Sequence, residues 1–505
     1  MSGGGFAFGP YQLASPSRQL RRNGEPVALT PLQAALLHDL VSARGNVVSK
    51  QRLVEVGWGV NAISDSSLEK QFSQLRSILD RHNRKRYIVN FARQGYRVAE
   101  PITDIVPEVD IAATLAPYRA YVEGRALLEA CERDSIEPAR MRFEDLLRLN
   151  PNDALAHVGL ANACVMLFES TRATLSPDRD ALKKAHYHSD MACKLAPTYA
   201  EAWATHGFIL ERVGDRHGAV SALWRAVRLE PGNWLHWLRL AYGTWGQERL
   251  RAIHELLKLV PGLPAGLAMK AQVFIARCAP DLAHVDVTEG VEEMAGGTIA
   301  PPVAPLHWLD GLLCMAQGRK EDGRSAFDRE LALESLGHLY AREVCAQVWY
   351  AKGADRYLEG EYPAAQAAYA EVFTRVPHHP LAHAGMFLIA RRHGRVPPGT
   401  TLDDLEIWKR SAVPVGAPGW FEREMAAAVV LVDDGKHSEA AQLLHTALGA
   451  APPGNSGWHI PLDLLLQVQK NKPAWRHTLA RLHTRARQLT KPVTPESSLA
   501  QDAIA

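Results

Sequence analysis

The segment DSSLEKQFSQLRSIL, residues 65–79, decides the fold of the N-terminal part of the chain. Its apolar side chains recur at intervals of three and four residues, which predicts an amphipathic helix buried on one side. The buried stripe consists of Leu68, Phe72, Leu75 and Leu79. The opposite face consists of Ser66, Lys70, Ser73, Gln74 and Ser77. This face is short and polar with a single cation, which suits the base edges of a DNA major groove. An ordinary solvated face is the alternative.

The flanking segments extend this helix into a small domain. Asn23-Gly24 marks a hairpin turn, and the segment LTPLQ, residues 29–33, is expected to form a strand. A leucine-rich first helix follows, and Ser49 caps a second helix over residues 50–58. After the 65–79 helix, a basic run at residues 81–86 leads into a strand and a turn at Gly95. Strand, three helices and a terminal hairpin predict a winged helix-turn-helix.

Residues 6–100 resemble the OmpR/PhoB-type winged-helix DNA-binding domain. The resemblance is carried by Leu29-Thr30-Pro31, the leucine-rich first helix, Val47-Val48-Ser49 with Leu53, Trp58-Gly59, Leu75-Arg76 and Gly95-Tyr96-Arg97. In that family the third helix reads the major groove and the wing touches a neighbouring minor groove. The resemblance and the polar face together give these DNA-binding candidates: Lys50, Ser66, Ser67, Lys70, Gln71, Ser73, Gln74, Arg76, Arg93 and Gln94.

Two features depart from the family pattern. Ala92 stands where many members carry an arginine before the wing, and serines occupy a helix face where many members carry arginines. These departures are the best argument for a different function class, a protein-interaction scaffold in which the winged helix docks proteins without binding DNA.

Basic charge is concentrated in the N-terminal region. Residues 1–105 contain 14 Lys+Arg and 8 Asp+Glu, a net charge of +6, whereas the remainder carries 43 and 47, a net charge of −4. A surplus of this size supports several phosphate contacts and a salt-dependent DNA affinity.

Prolines and acidic residues at 101–117 predict a linker between residues 1–100 and a repeat region at 118–470, with a helix and flexible tail at 471–505. In the repeat region a small residue is followed at fixed offsets by an alanine, a large apolar residue and a proline. Gly207 is followed by Ala219, Leu223 and Pro231, and Gly353 by Ala365, Tyr369 and Pro377. These offsets resemble tetratricopeptide repeats. The predicted fold is mainly α, a small α/β winged helix followed by an α-solenoid of helical hairpins.

The concave side of such a solenoid binds extended peptides or partner proteins. The repeat positions that correspond to the groove in the tetratricopeptide family predict a mainly apolar site for a protein or small-molecule effector, and its residues are Trp308, Leu312, Met315, Tyr350 and Tyr357. The alternative is that these side chains are buried against neighbouring repeats or a second subunit.

Other functions have little support in the sequence. It contains no phosphate-binding GxxxxGK[ST], no GxSxG and no HExxH motif, so we expect neither an enzyme nor a cofactor. The histidines at 186, 188, 378, 379 and 383 lie in helix or turn contexts, so we expect no metal site. The irregular 265–305 stretch, with Asp281, His284, Asp286 and Glu289, is the weakest enzyme candidate.

The first residues, Met-Ser-Gly-Gly-Gly, form no basic or apolar stretch, so we expect no secretion signal, and the sequence contains no run of 18 apolar residues. We therefore expect a cytoplasmic DNA-binding transcriptional regulator of bacterial type, without membrane contact. Its partners are double-stranded DNA and an effector at the repeats, and a homo-oligomer is a further option. The operator, the effector, the regulated pathway and the choice between activator and repressor do not follow from the residues.

Overall fold

The computed structural model describes residues 4–15, 17–58, 65–80, 87–92, 94–105, 111–296, 305–397, 400–404 and 419–487. The chain forms two compact units, Met1–Ala116 and Pro117–Ala505.

The first unit is a small α/β domain. Its strands are β1 (Gly5–Phe8), β2 (Tyr11–Ala14), β3 (Leu20–Arg22), β4 (Glu25–Val27), β5 (Val48–Ser49), β6 (Ile88–Phe91), β7 (Gly95–Val98) and β8 (Ile102–Ile105). Its helices are α1 (Pro31–Ser42), α2 (Lys50–Trp58) and α3 (Asp65–Leu79). One antiparallel sheet has the order β4-β3-β2-β1-β8, and a second has the order β5-β7-β6.

The predicted hairpin between β3 and β4 is confirmed. Arg22 pairs with Glu25 across a two-residue turn. Asn23 and Gly24 adopt φ values of +48° and +87°, the left-handed conformations that such a turn requires. The β1–β4 meander therefore begins the domain and covers one side of its helical core.

The segment at residues 29–33 is not a strand. Thr30 is the N-cap of α1, where its Oγ1 accepts a hydrogen bond from the Gln33 amide at 3.3 Å. The Gln33 Oε1 in turn accepts from the Thr30 amide at 3.1 Å, and Pro31 occupies the first helical turn. This reciprocal capping, with a proline whose missing N–H is harmless there, stabilises a helix start and overrides the β-propensity of the leucine and threonine.

The predicted linker at residues 101–117 contains a strand near its start and the beginning of a helix near its end. Residues 102–105 form β8, which pairs with β1 from Phe8↔Ile102 to Gly5↔Ile105. The next helix already begins at Ile111, and Pro117 lies inside it.

The second unit is a series of helical hairpins. Its helices are α4 (Ile111–Glu129), α5 (Arg133–Leu149), α6 (Ala154–Thr171), α7 (Arg179–Leu195), α8 (Ala200–Val213), α9 (Arg216–Leu229), α10 (Trp234–Gly243), α11 (Gly246–Leu259), α12 (Pro264–Ala276), α13 (Pro280–Ala295), α14 (Leu306–Ala316), α15 (Lys320–Ala332), α16 (Ala341–Leu358), α17 (Tyr362–Arg375), α18 (Pro380–Arg392), α19 (Trp420–Asp433), α20 (His437–Ala450) and α21 (Lys472–Arg487). Consecutive helices pair as α6 with α7, α8 with α9 and α16 with α17. The predicted C-terminal helix is α21, and the predicted flexible tail, 488–505, lies outside the described residues.

The predicted repeat offsets are explained by close helix packing. A Cβ added to Gly353 on α16 would lie 2.5 Å from the Tyr369 ring on α17, and one added to Gly385 on α18 would lie 2.4 Å from the same ring. Tyr369 therefore fills the space between the first helices of two successive hairpins, and only glycine leaves room for it. Leu223 has the same relation to Gly207 and Gly243.

The 265–305 stretch is more regular than its sequence suggests. Residues 264–276 and 280–295 form the hairpin α12–α13, and Asp286 on α13 forms an ion pair with Lys270, whose Nζ lies 2.6 Å from Asp286 Oδ1. Among the described helices, α6 alone has the length and apolar character of a membrane span, and 56% of that span is buried inside the protein.

Candidate nucleic-acid interface

Helix α3 is anchored by the apolar stripe that its sequence predicts. The side chains of Leu68, Phe72, Leu75 and Leu79 are buried. They pack in one core with leucines of α1, with Tyr11 and Tyr96 from the strands, and with Tyr87, which directly precedes β6. The Tyr11 hydroxyl also donates a hydrogen bond to the Leu79 carbonyl at 2.7 Å, which fixes the end of α3 against β2.

The wing is tied to α3 by direct contact. The rings of Phe72 and Tyr96 stack with their centroids 3.9 Å apart and 15° between their planes. Strand β7 begins at Gly95, whose φ is +145° and whose added Cβ would lie 1.9 Å from the Val48 carbonyl oxygen. Glycine is required there because β5 and β7 approach so closely.

The outward face of α3 is exposed and polar. Lys70, Ser73, Gln74 and Ser77 are all exposed. Within the described residues, Lys70 has no ion-pair partner, so its ammonium group is available to a phosphate or a base edge. The face is therefore held from behind by a rigid core while its polar groups stay accessible.

Gln74 is oriented by a residue that the sequence prediction missed. The Gln33 Nε2 on α1 donates a hydrogen bond to Gln74 Oε1 at 3.2 Å, and Gln33 itself is buried. Because this bond uses one lone pair of Gln74 Oε1, the amide NH₂ is the freer group to meet a base. The signal for Gln33 is its place three residues after Thr30, where glutamine completes a capping box.

Arg76 and Lys50, two predicted DNA contacts, are engaged within the domain. Arg76 Nε donates to the Ile88 carbonyl at 3.0 Å, and its guanidinium carbon lies 5.6 Å from the centroid of the Tyr96 ring. Lys50 Nζ lies 3.7 Å from Glu69 Oε1. At about 100° per residue, Arg76 lies only about 80° from Leu68 around the helix, which places it on the flank of the buried stripe. Their DNA roles stay predictions.

The remaining predicted contacts are placed only in part. Ser67 and Gln71 are half-buried on the flanks of α3. Gln94 is exposed in the wing turn, where its backbone N–H donates to the Phe91 carbonyl at 3.0 Å. The Ser66 side chain and all of Arg93 lie outside the described residues.

The five predicted groove residues of the repeats contact other parts of the same chain, and three of them are buried while Trp308 and Met315 are half-buried. The Tyr350 hydroxyl donates to Asp463 Oδ2 at 3.0 Å. The Trp308 ring meets the Trp458 ring edge to face at 5.9 Å. Leu312 is also buried.

Tyr357 and Met315, the other two predicted groove residues, also contact residues of the same chain. The Tyr357 hydroxyl donates to Asp433 Oδ1 at 2.7 Å. Met315 lies against Gly323 of its own hairpin, where its Cγ is 3.0 Å from the place of an added Cβ. An effector bound at Trp308 and Tyr350 would therefore have to displace the segment at 458–463. The ligand role of the five residues stays a prediction.

Asp463 and His379, which both contact Tyr350, have pKa values shifted from their ordinary ones. Burial raises the pKa of Asp463 to about 6. Burial lowers the pKa of His379 to about 3, and the His379 ring stacks on Tyr350 at 5.4 Å. Among the described residues, no three His, Cys, Asp or Glu side chains are arranged to hold a metal ion.

Known proteins match the N-terminal unit in sequence. Residues 24–98 match the family described as "Transcriptional regulatory protein, C terminal". The transcriptional regulator HilA of Salmonella typhimurium is 34% identical over 102 residues, which are 20% of this chain and 18% of HilA. The chain thus aligns with less than a fifth of that relative's length.

Two solved structures resemble separate parts of the chain. The DNA-binding domain of Escherichia coli CadC is 22% identical and covers 20% of this chain and 98% of its own, with a TM-score of 0.19. A thermophilic TPR protein of Thermus thermophilus is 18% identical and covers 35% of this chain and 89% of its own, with a TM-score of 0.28.

The family match coincides with the segment in which α3 is backed by the apolar core and closed by the Gly95 wing. Residues 24–98 therefore form an OmpR/PhoB-type winged-helix domain of the transcriptional regulatory protein C-terminal family, and a tetratricopeptide-like helical region follows it.

Proposed function

We propose that this chain is a cytoplasmic, sequence-specific transcriptional regulator that binds promoter DNA through α3 and receives its signal through the helical repeats. The observation that carries the proposal is the contrast between the two faces of α3. Leu68, Phe72 and Leu75 are fully buried, while Lys70 and Gln74 are exposed. A helix that is fixed along one side and polar along the other can enter a major groove without losing its own support.

The exposed side chains of α3 would make different kinds of contact with DNA. Lys70 supplies positive charge for a phosphate or a guanine edge, and Ser73 and the amide NH₂ of Gln74 supply hydrogen bonds to bases. The wing turn at Gln94 reaches the backbone of the neighbouring groove. The net charge of +6 over residues 1–105 supports this assignment, because phosphate contacts account for much of the affinity of DNA-binding domains.

The repeats are proposed to control the DNA-binding unit. Helical-hairpin arrays bind protein partners through broad surfaces, and a protein partner, a small effector or a second copy of the chain would each give a route to control. A single winged helix covers a short half-site, so two copies on neighbouring half-sites are expected on a promoter.

Selection of bound duplexes from a random pool tests the proposal with the full chain. A regulator enriches one motif over successive rounds. A protein-docking winged helix enriches none, and that result would favour the scaffold alternative, for which Ala92 and the serines of α3 are the supporting residues.

A further inference from the structure

A cavity of about 570 Å³ lies inside the repeat unit, where α19 meets the loop that follows α20. It is lined by Trp420, Phe421, Glu422, Trp458, His459 and Arg172. Its volume falls in the range that small-molecule sites occupy. Its wall combines three aromatic rings with several polar groups, which include Asn455 and Ser456.

The charges around the cavity are unequal. Arg172 is fully matched by two carboxylates: its Nη1 lies 2.9 Å from Glu169 Oε2, and its Nη2 lies 2.5 Å from Glu343 Oε2. Glu422 has no such match, because among the described residues no cation forms an ion pair with it. Glu422 lies in the first turn of α19, where the helix N-terminus favours a carboxylate, and within the described residues it faces the cavity without a counter-ion.

Glu422 lines the cavity, and its carboxyl is largely surrounded by protein atoms. This burial raises its pKa, and the hydrogen bond that opposes the shift comes from its own backbone amide. Burial lowers the pKa of the neighbouring His459 to about 4, so the imidazole is neutral at neutral pH and does not neutralise Glu422. A bound cation would restore the charge balance and stabilise the carboxylate.

We propose that this cavity binds a small organic ammonium ion, with Glu422 pairing with its charged nitrogen and the rings of Trp420, Phe421 and Trp458 enclosing its apolar body. Aromatic rings attract cations through their negative faces, and a carboxylate in the same wall adds a direct ion pair. This inference rests on the proposed function in one respect: the ligand would be the signal that the repeats receive.

Calorimetric titration of the full chain with three probes of similar shape tests the site. The probes are phenethylamine, phenylethanol and phenylpropionate, which carry a positive, a neutral and a negative end group at neutral pH. The amine is expected to bind at least about tenfold more tightly than the alcohol, and the acid most weakly. Equal affinity for all three, or no binding by any of them, would overturn the proposal.

Matched carboxylate variants locate the interaction. Glu422→Gln should remove the preference for the amine and leave the alcohol unchanged, while Glu422→Asp should retain it. Glu439→Gln, on the exposed face of α20 with 65% of its side chain accessible, should behave as the wild type. An amine preference that survives in Glu422→Gln would overturn the assignment.

The same samples separate this site from the proposed function. If the amine binds as described and the chain enriches no DNA motif, the cavity stands and the role in transcription fails. If the chain selects a motif and the amine does not bind, the role in transcription stands and the cavity assignment fails.

Discussion

The rings of Phe72 and Tyr96 are stacked, with centroids 3.9 Å apart. Phe72 lies in the middle of α3, and Tyr96 lies in β7 of the wing, so one aromatic contact joins the two elements that are proposed to meet DNA. This buried pair, together with the hydrogen bond from Arg76 on α3 to the Ile88 carbonyl of β6, therefore sets the position of the helix relative to the wing.

Replacing Phe72 by alanine should destabilise the N-terminal unit by about 3–5 kcal/mol, the usual cost of removing a buried phenylalanine side chain. Hydrogen exchange of the α3 and β7 amides measures this loss locally within the full chain. Ser77→Ala, on the exposed face of the same helix, should stay within about 0.5 kcal/mol of the wild type. Equal protection in both variants would show that the stacked pair is not what joins helix and wing.

Gly95→Ala should cost more than Gly24→Ala, although both glycines have positive φ. At Gly24 the added Cβ meets no atom within 4 Å, so only backbone strain of about 1–2 kcal/mol is expected. At Gly95 the Cβ would lie 1.9 Å from the Val48 carbonyl oxygen, so the β5–β7 pairing must open as well, for a total of about 3 kcal/mol or more. Protection of the β7 amides against exchange compares the two, and similar losses would refute the steric argument.

Lys70→Ala should weaken DNA binding without destabilising the fold, because the side chain is exposed and no ion pair joins it to the described residues. The slope of log affinity against log salt concentration should decrease in magnitude by about one, as expected for one lost phosphate contact. Fluorescence anisotropy with a labelled duplex at several salt concentrations measures this slope. Lys183→Ala, an exposed lysine on α7 of the repeats, is the matched control, and an identical slope in all three proteins would exclude Lys70 from the interface.

Asp463→Asn should change how the stability of the repeat unit depends on pH. Burial raises the pKa of Asp463 from 3.8 to about 6, so the folded state holds this proton more tightly than the unfolded chain. Its stabilising contribution is present below the unfolded pKa and is lost as pH rises through the folded one. The asparagine variant should lack this decline, which amounts to about 3 kcal/mol.

Urea unfolding followed by tryptophan fluorescence at acid and neutral pH measures the difference. Asp328→Asn, an exposed aspartate on α15, should retain the wild-type decline. Parallel stability curves for the wild type and Asp463→Asn would mean that the carboxyl titrates normally in the folded protein.

Local patterns in the sequence predict the elements that local interactions form. The apolar stripe of α3 and the Asn23-Gly24 hairpin follow from residue spacing and turn chemistry, and both are confirmed. The segment at 29–33 was open to the same reasoning, since threonine, proline and glutamine at those positions form a capping box. Its interpretation as a strand gave weight to β-propensity where capping decides.

Contacts between distant residues explain what the sequence does not predict. Tyr350 and Asp463 are separated by 113 positions, and no repeat offset relates them, so the covering of the groove positions by the chain's own C-terminal segment is invisible in the repeat pattern. Likewise Gln33 and Gln74 are 41 positions apart. Periodicity identified the exposed face of α3 but not the residue that orients Gln74.

Motif selection from random duplexes with the wild type and Gln74→Ala, side by side, tests the central claim most directly. Because the bond from Gln33 uses one lone pair of Gln74 Oε1, we expect the Gln74 NH₂ to donate to a base. The wild-type motif should then contain one position that favours an acceptor edge such as guanine or thymine. The account predicts that Gln74→Ala relaxes that position alone and keeps the rest of the motif. An unchanged motif, or none in either protein, would contradict the claim that this face of α3 reads DNA.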